Sequence, residues 1–133
     1  MHPRGSPSVR PQPLLAVADV EQASGWYQQV LGAESGHGGE EYERLLVDST
    51  LVLQLHRVGV DHHHGAIGDP GLPLGNGVAV WFEADDFDAI VQRSRTAQAV
   101  VVTDVHVNPN AGHRELWLRD PDGYLVVIAE AHG

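Results

Sequence analysis

Two stretches of this chain carry the same local pattern, and that repeat constrains the fold more than any single motif. One reads Val17-Ala18-Asp19-Val20-Glu21 and the other Ala84-Asp85-Asp86-Phe87-Asp88. In each, an apolar run ends at an aspartate and a helix-like pattern begins. Aspartate before an apolar-periodic stretch is a good N-cap. In the first half, Pro13 opens the apolar run Leu14–Val17, a position proline tolerates in an edge strand. Val20, Ala23, Tyr27, Val30 and Leu31 then share a helical face, and Gly32 ends the helix. Residues 41–47 and 50–56 read as strands joined by Asp48-Ser49, with a weaker strand at 33–37. In the second half, 77–82 reads as a strand. Asp85 or Asp86 caps a helix on which Phe87, Ile90 and Val91 are helically spaced. Strands follow at 100–105, 114–118 and 124–129. The turn Asp120-Pro121-Asp122-Gly123 precedes the last, with Pro presetting φ and Gly supplying φ > 0.

Each half is therefore expected to be a βαβββ unit in an α+β fold. A unit of that size cannot bury its own apolar face, so the two should pack together or swap with a partner chain. The expected organisation is a flexible arm over 1–11 and one domain over 12–130. Within that domain, module one is 12–56, a Gly/Pro-rich linker is 57–76 and module two is 77–130.

Composition removes whole classes of chemistry. There is no Cys, hence no disulfide, thiol nucleophile or zinc ribbon. All eight basic residues are Arg, which removes Schiff-base lysines and the phosphate-loop lysine. A net charge of −10 argues against a nucleic-acid partner. No apolar run approaches the roughly 20 residues that span a bilayer. The opening MHPRGSPSVRPQP lacks the apolar core of a secretory signal, so no membrane association and a cytoplasmic location are expected.

Strand alternation assigns faces. Leu51, Leu53 and Leu55 should cover the first helix, leaving Val52, Gln54 and His56 opposite, with Gln12, Leu14 and Ala16 sharing a face nearby. Val78, Val80 and Phe82 should cover the second helix, leaving Ala79, Trp81 and Glu83. Leu116 and Leu118 leave Glu115 and Trp117, and Tyr124, Val126 and Ile128 leave Leu125, Val127 and Ala129.

The segments LLAVADVEQASGWYQQVLGAE and VWFEADDFDAIVQR…RELWLRDPDGYLVVIAE resemble the two halves of the vicinal-oxygen-chelate superfamily. That superfamily includes glyoxalase I, extradiol dioxygenases, fosfomycin-resistance transferases and bleomycin-resistance proteins. The resemblance covers about residues 12–130 and is most specific in WYQQVLG and DPDGY. It implies cupped mixed sheets, completed in a homodimer, with the faces opposite the helices lining a pocket. The ligand-binding residues are then expected to be Gln12, Leu14, Val52, Gln54 and His56 from the first half. From the second come Trp81, Glu83, His113, Glu115, Trp117 and Val127. Trp81 and Trp117 read as stacking walls for a flat molecule, or as plain packing between layers.

Metal-dependent relatives carry His, Glu or Gln at four positions, which the resemblance places at Gln12, Gln54, Ala79 and Val127. Two amides and two aliphatics hold a divalent ion poorly, so no metal and no cofactor are expected. Of the other histidines, His62-His63-His64 in the linker reads as a solvated loop or adventitious metal capture, and His56, His106 and His113 lie at or near strand ends. A metal held by His56, His113 and the loop is the less favoured alternative, and His113 could hydrogen-bond a ligand. A His–carboxylate pair drawn from His56 or His113 with Glu83 or Glu115 offers acid–base work or ligand orientation. Glu40, Glu41 and Glu43 read as a solvated edge. The function expected is metal-free sequestration of a small aromatic or polycyclic natural product, as in bleomycin-resistance and mitomycin-binding proteins. The alternatives are a glyoxalase-like lyase or isomerase with an atypical site, and a small-molecule sensor.

Overall fold

The computed structural model describes residues 9–62 and 65–131, so most of the arm and His63-His64 lie outside the described residues. The first half runs β1 (Leu14–Val17), α1 (Val20–Leu31), β2 (Glu34–Ser35), β3 (Tyr42–Val47) and β4 (Thr50–Arg57). A small hairpin, β5 (Asp61–His62) with β6 (Gly65–Ala66), lies in the linker. The second half runs β7 (Ala79–Ala84), α2 (Phe87–Thr96), β8 (Val100–Val107), β9 (Arg114–Arg119) and β10 (Leu125–Glu130). The two four-stranded sheets have the orders β1-β4-β3-β2 and β7-β10-β9-β8. In each the first strand pairs in parallel with the last and the other pairings are antiparallel. The expected α+β repeat of two βαβββ units is thus present strand for strand.

Local chemistry sets these elements. Asp19 accepts from the Gln22 N–H and caps α1, while Gly32 closes it in the left-handed conformation. Asp86 rather than Asp85 caps α2, accepting from the Ala89 N–H. β7 starts two residues later than the 77–82 pattern implies, because Gly77 has positive φ and pairing with β10 begins at Ala79. A Cβ on Gly68 would sit 3.2 Å from the Cβ of Ala16, so the linker lies directly on β1.

The core is one cluster drawn from both halves. Tyr27, Val30, Leu45, Leu53 and Leu55 join Phe87, Leu116, Leu118, Val126 and Ile128. Of these, Leu53, Leu55, Leu116, Leu118, Val126 and Ile128 are on the faces the alternation predicts. Among the described residues, three hydrogen bonds fasten the halves together. The Tyr27 hydroxyl donates to Asp120 at 2.6 Å, the Ala18 N–H to Asp122 at 2.8 Å, and the Tyr124 hydroxyl to the Ala16 carbonyl at 2.7 Å. The WY and DPDGY blocks therefore meet in space. Burial, then the charge of Asp120, pushes the Tyr27 hydroxyl far up; burial also raises Asp120.

Two expectations fail. Val78, expected to cover the second helix, lies ahead of β7 and is exposed, since the strand begins only at Ala79. Glu43 does not belong to a solvated edge: it points to the helix side and is buried. Its carboxylate accepts from the Ser24 and Ser35 hydroxyls and from the His37 and Gly38 N–H groups. Alternation carries the reason, since Glu43 shares a face with Leu45 and pairs opposite Leu55. Those donors compensate its desolvation. Among the described residues no helix is long and apolar enough to cross a membrane.

Candidate functional site

Register arranges the open face of the second sheet in rows. Val127 pairs with Trp81 on one side and Trp117 on the other, and Thr103 lies beyond Trp117. An aliphatic floor is thus flanked by two indoles, which stand two strand spacings, roughly 10 Å, apart. The next row is Glu83, Ala129, Glu115 and His106. Trp81 is 52% exposed, so packing between layers does not explain it in this chain. Trp117 is partly buried and Val127 fully so.

Trp117 is held in place. Its indole N–H donates to Oε1 of Glu115 at 2.9 Å. Asn108 Nδ2 and His113 Nε2 donate to the other oxygen at 2.8 and 2.7 Å. Glu115 is wholly buried. Burial alone pushes its carboxyl up, but the hydrogen bonds from Asn108, Trp117 and His113 outweigh that and hold it below its ordinary value. It is an anion behind an aromatic wall. His106 lies edge-on to Trp117, with ring centroids 5.9 Å apart.

The equivalent face of the first sheet is different. Leu14 pairs with Gln54 and Ala16 with His56, while Tyr42 lies opposite His56 across β3. Gln54 accepts from the Tyr42 hydroxyl and donates to the Gln12 carbonyl. His56 is buried and bonded through Nδ1 to the Arg57 carbonyl. Val52 reaches across to the second half. With Pro13, Leu51, Val80 and Trp81 it lines an apolar cleft of about 430 Å³ between β1 and β7.

The expected residues therefore fall into three groups. Trp81, Glu83, Glu115, Trp117 and Val127 share one face, with His113 bonded to it. Leu14, Gln54 and His56 share another, Gln12 lying exposed ahead of β1. Val52, Trp81 and Glu83 meet in the cleft. Sequence reasoning missed two supports, Asn108 and Tyr42. Asn108 sits in the Asn-Pro-Asn turn after β8, a turn signal that does not reveal a long-range partner. Tyr42 was legible only as a strand residue.

The donor set at the four metal positions does not fit a divalent ion. Ala79 and Val127 have no donor atom, and Gln54 already uses both amide ends. Among the described residues, no three His, Cys, Asp or Glu side chains are grouped to hold one.

A family model, Glyoxalase/Bleomycin resistance protein/Dioxygenase superfamily, matches residues 10–128. No curated protein matches the chain in sequence. Solved structures share the fold at low identity. TioX from Micromonospora sp. ML1 is 22% identical, with a TM-score of 0.70 over 90% of this chain and 95% of that one. A bleomycin resistance determinant encoded on the transposon Tn5 is 16% identical, with a TM-score of 0.71 over 95% and 100%. A lactoylglutathione lyase from Agrobacterium tumefaciens is 23% identical, with a TM-score of 0.69 over 94% and 95%.

Proposed function

Because the chain belongs to the glyoxalase/bleomycin resistance protein/dioxygenase superfamily, whose shared fold hosts unlike chemistries, we propose that it binds a small aromatic molecule without transforming it and without a metal. The observation that carries this reading is the row Trp81–Val127–Trp117. An aliphatic side chain occupies a position where metal-dependent relatives hold a ligand, and an indole stands on either side of it. A flat ring held over this row would have an indole on either side to pack against. The bleomycin resistance determinant supports sequestration as the purpose. The open faces of the two sheets are completed by pairing of two chains in a homodimer.

Intrinsic fluorescence tests this directly. Bleomycin and a panel of planar aromatic antibiotics should include a compound that quenches emission saturably and is recovered unchanged. Trp81→Ala and Trp117→Ala should each weaken that binding by roughly 2 kcal/mol or more if the residue is an anchor. Binding unchanged in both variants would reject the stacking row. Light scattering should give a dimer, and a 14.4 kDa particle would reject the pairing.

The His113–Glu115 hydrogen bond of 2.7 Å favours a second reading, in which the pair performs acid–base chemistry as in a glyoxalase-like lyase or isomerase. Turnover of a bound compound, abolished in His113→Ala, would put this reading in place of sequestration.

A further inference from the structure

The row behind the indoles contains an unmatched pair of acceptors. His106 Nδ1 lies 2.8 Å from the Asp104 carbonyl. A carbonyl oxygen only accepts, so the proton of the neutral ring is on Nδ1 and Nε2 carries a lone pair. That Nε2 faces Oε1 of Glu115 across 3.8 Å, too far for a hydrogen bond. A carboxylate accepts about four hydrogen bonds. Among the described residues, Glu115 receives one on Oε1 from Trp117 and two on Oε2 from Asn108 and His113. The remaining capacity is on the oxygen that faces His106, and burial keeps bulk water from filling it.

We propose that His106 is a proton-operated latch on the ligand face: on gaining a proton, Nε2–H closes onto Oε1 of Glu115, draws β8 toward β9 beside Trp117 and adds a positive charge behind the indoles. The latch weakens the hold on a cationic aromatic ligand as pH falls. Its geometry stands alone, and the consequence for ligands rests on the stacking row proposed above.

The other charges near His106 are paired or distant, apart from His113. On β8, the Asp104 carboxylate is held by Arg95 of α2 and by the Val105 N–H. Arg114 of β9 is paired with Glu130 of β10 and Asp88 of α2. Glu83 of β7 lies on the same face but two strands away, across Ala129. His113 Nε2 is bonded to the other oxygen of Glu115, Oε2, so the two imidazoles are told apart by separate variants.

The indole N–H signal of Trp117, identified by its loss in Trp117→Phe, reports the Glu115 bond in ligand-free protein. It should shift as pH is lowered through the range where imidazoles titrate. The shift should be lost in His106→Phe, which keeps an aromatic edge on Trp117, and retained in His113→Gln. A signal that does not move in the wild type, or moves equally in His106→Phe, overturns the latch. Proflavine, a planar cation of constant charge over this range, tests the consequence. Its dissociation constant should rise on the order of threefold on acidification, as one added charge nearby implies, and stay level in His106→Phe. Equal weakening in both proteins overturns the link to binding. No proflavine binding at any pH would count against the stacking row, while the ligand-free signal still decides the latch.

Discussion

In the first half of the molecule the polar groups on the sheet face away from the helix are tied to neighbours and the face is partly covered. Linker backbone at Gly68 lies on Ala16, His56 is buried beside it, and Gln54 is engaged by Tyr42 and Gln12. In the second half the same topology leaves that face exposed along β7 and much of β8, with a half-exposed Trp81 and an anion buried behind Trp117. The buried carboxylates differ accordingly. Glu43 points toward its own helix and ties together the residues around β2, whereas Glu115 points toward the open face and positions an aromatic wall. On the function proposed above, one repeat is the scaffold and its copy the surface that recognises. A duplicated unit can specialise in this way because the helix-side core is shared, which frees either outer face to change.

The sharpest challenge to that comparison is to the shared core. Leu55→Ala in the first half and Leu118→Ala in the second each remove a wholly buried side chain and should each cost about 3–5 kcal/mol. Urea unfolding should remain a single transition in both, because the core cluster crosses the boundary between the halves. Two resolved transitions would show independent halves.

Glu43→Gln comes next, at roughly 2–3 kcal/mol, because a carboxylate serving five donors becomes a neutral amide that serves fewer. Glu43 also carries a pH signature. Burial pushes it up, but hydrogen bonds from Ser35, Gly38, Ser24 and His37 hold it below its ordinary value. Its contribution is therefore full above the unfolded carboxyl's pKa and disappears as pH falls through the lower, folded one. Glu115 has the same sign; Asp120, raised by burial, has the opposite. Denaturation of Glu43→Gln should thus show a flatter loss of stability in acid than the wild type. An unchanged slope would mean that Glu43 is not the acid-sensitive tie of the scaffold half.

Smaller again is the clasp between the halves. Tyr27→Phe removes the donor to Asp120 but keeps the ring, which sits edge-on to Trp26 and Phe82. A hydrogen bond to a carboxylate contributes about 1.5–3 kcal/mol, and Asp120 keeps the N–H groups of Asp122 and Tyr124, so the lower end is expected. A calorimetric melting temperature equal to the wild type's would show the clasp to be dispensable.

The fold was legible because its signals are local. Asp19 and Gly32 bracket α1, and period-two alternation places Leu53, Leu55, Leu116 and Leu118 in the core before any coordinates are consulted. The site was legible only as faces. Alternation puts Trp81, Val127 and Trp117 on the same side of a sheet, but their meeting in one row depends on register, which no residue type announces. Glu43 was misread because a run of carboxylates resembles a solvated edge, and only the position of Leu45 on the same face argues otherwise. Asn108 and Tyr42 act through partners 7 and 12 residues away, which spacing alone does not single out.

The two halves also close their hairpins differently, and this gives the smallest effects. Between β9 and β10 the left-handed position is Gly123, at φ 89°. Between β3 and β4 it is Asp48 and Ser49, at φ 49° and 66°. Two successive positive φ values match the two-residue turn that favours Asn-Gly, so the first half carries strain that the second avoids. A side chain in the left-handed region costs roughly 1–2 kcal/mol, offset by about 0.4–1 kcal/mol because glycine loses more freedom on folding. Gly123→Ser should therefore destabilise by about 1 kcal/mol. Ser49→Gly should run the other way and stabilise by about 0.5 kcal/mol. Chemical denaturation of the two single variants and the double variant would test the pair, since the turns lie in different sheets and their effects should add. Destabilisation by Ser49→Gly would mean that the Ser49 side chain supports the scaffold half in a way its backbone geometry does not reveal.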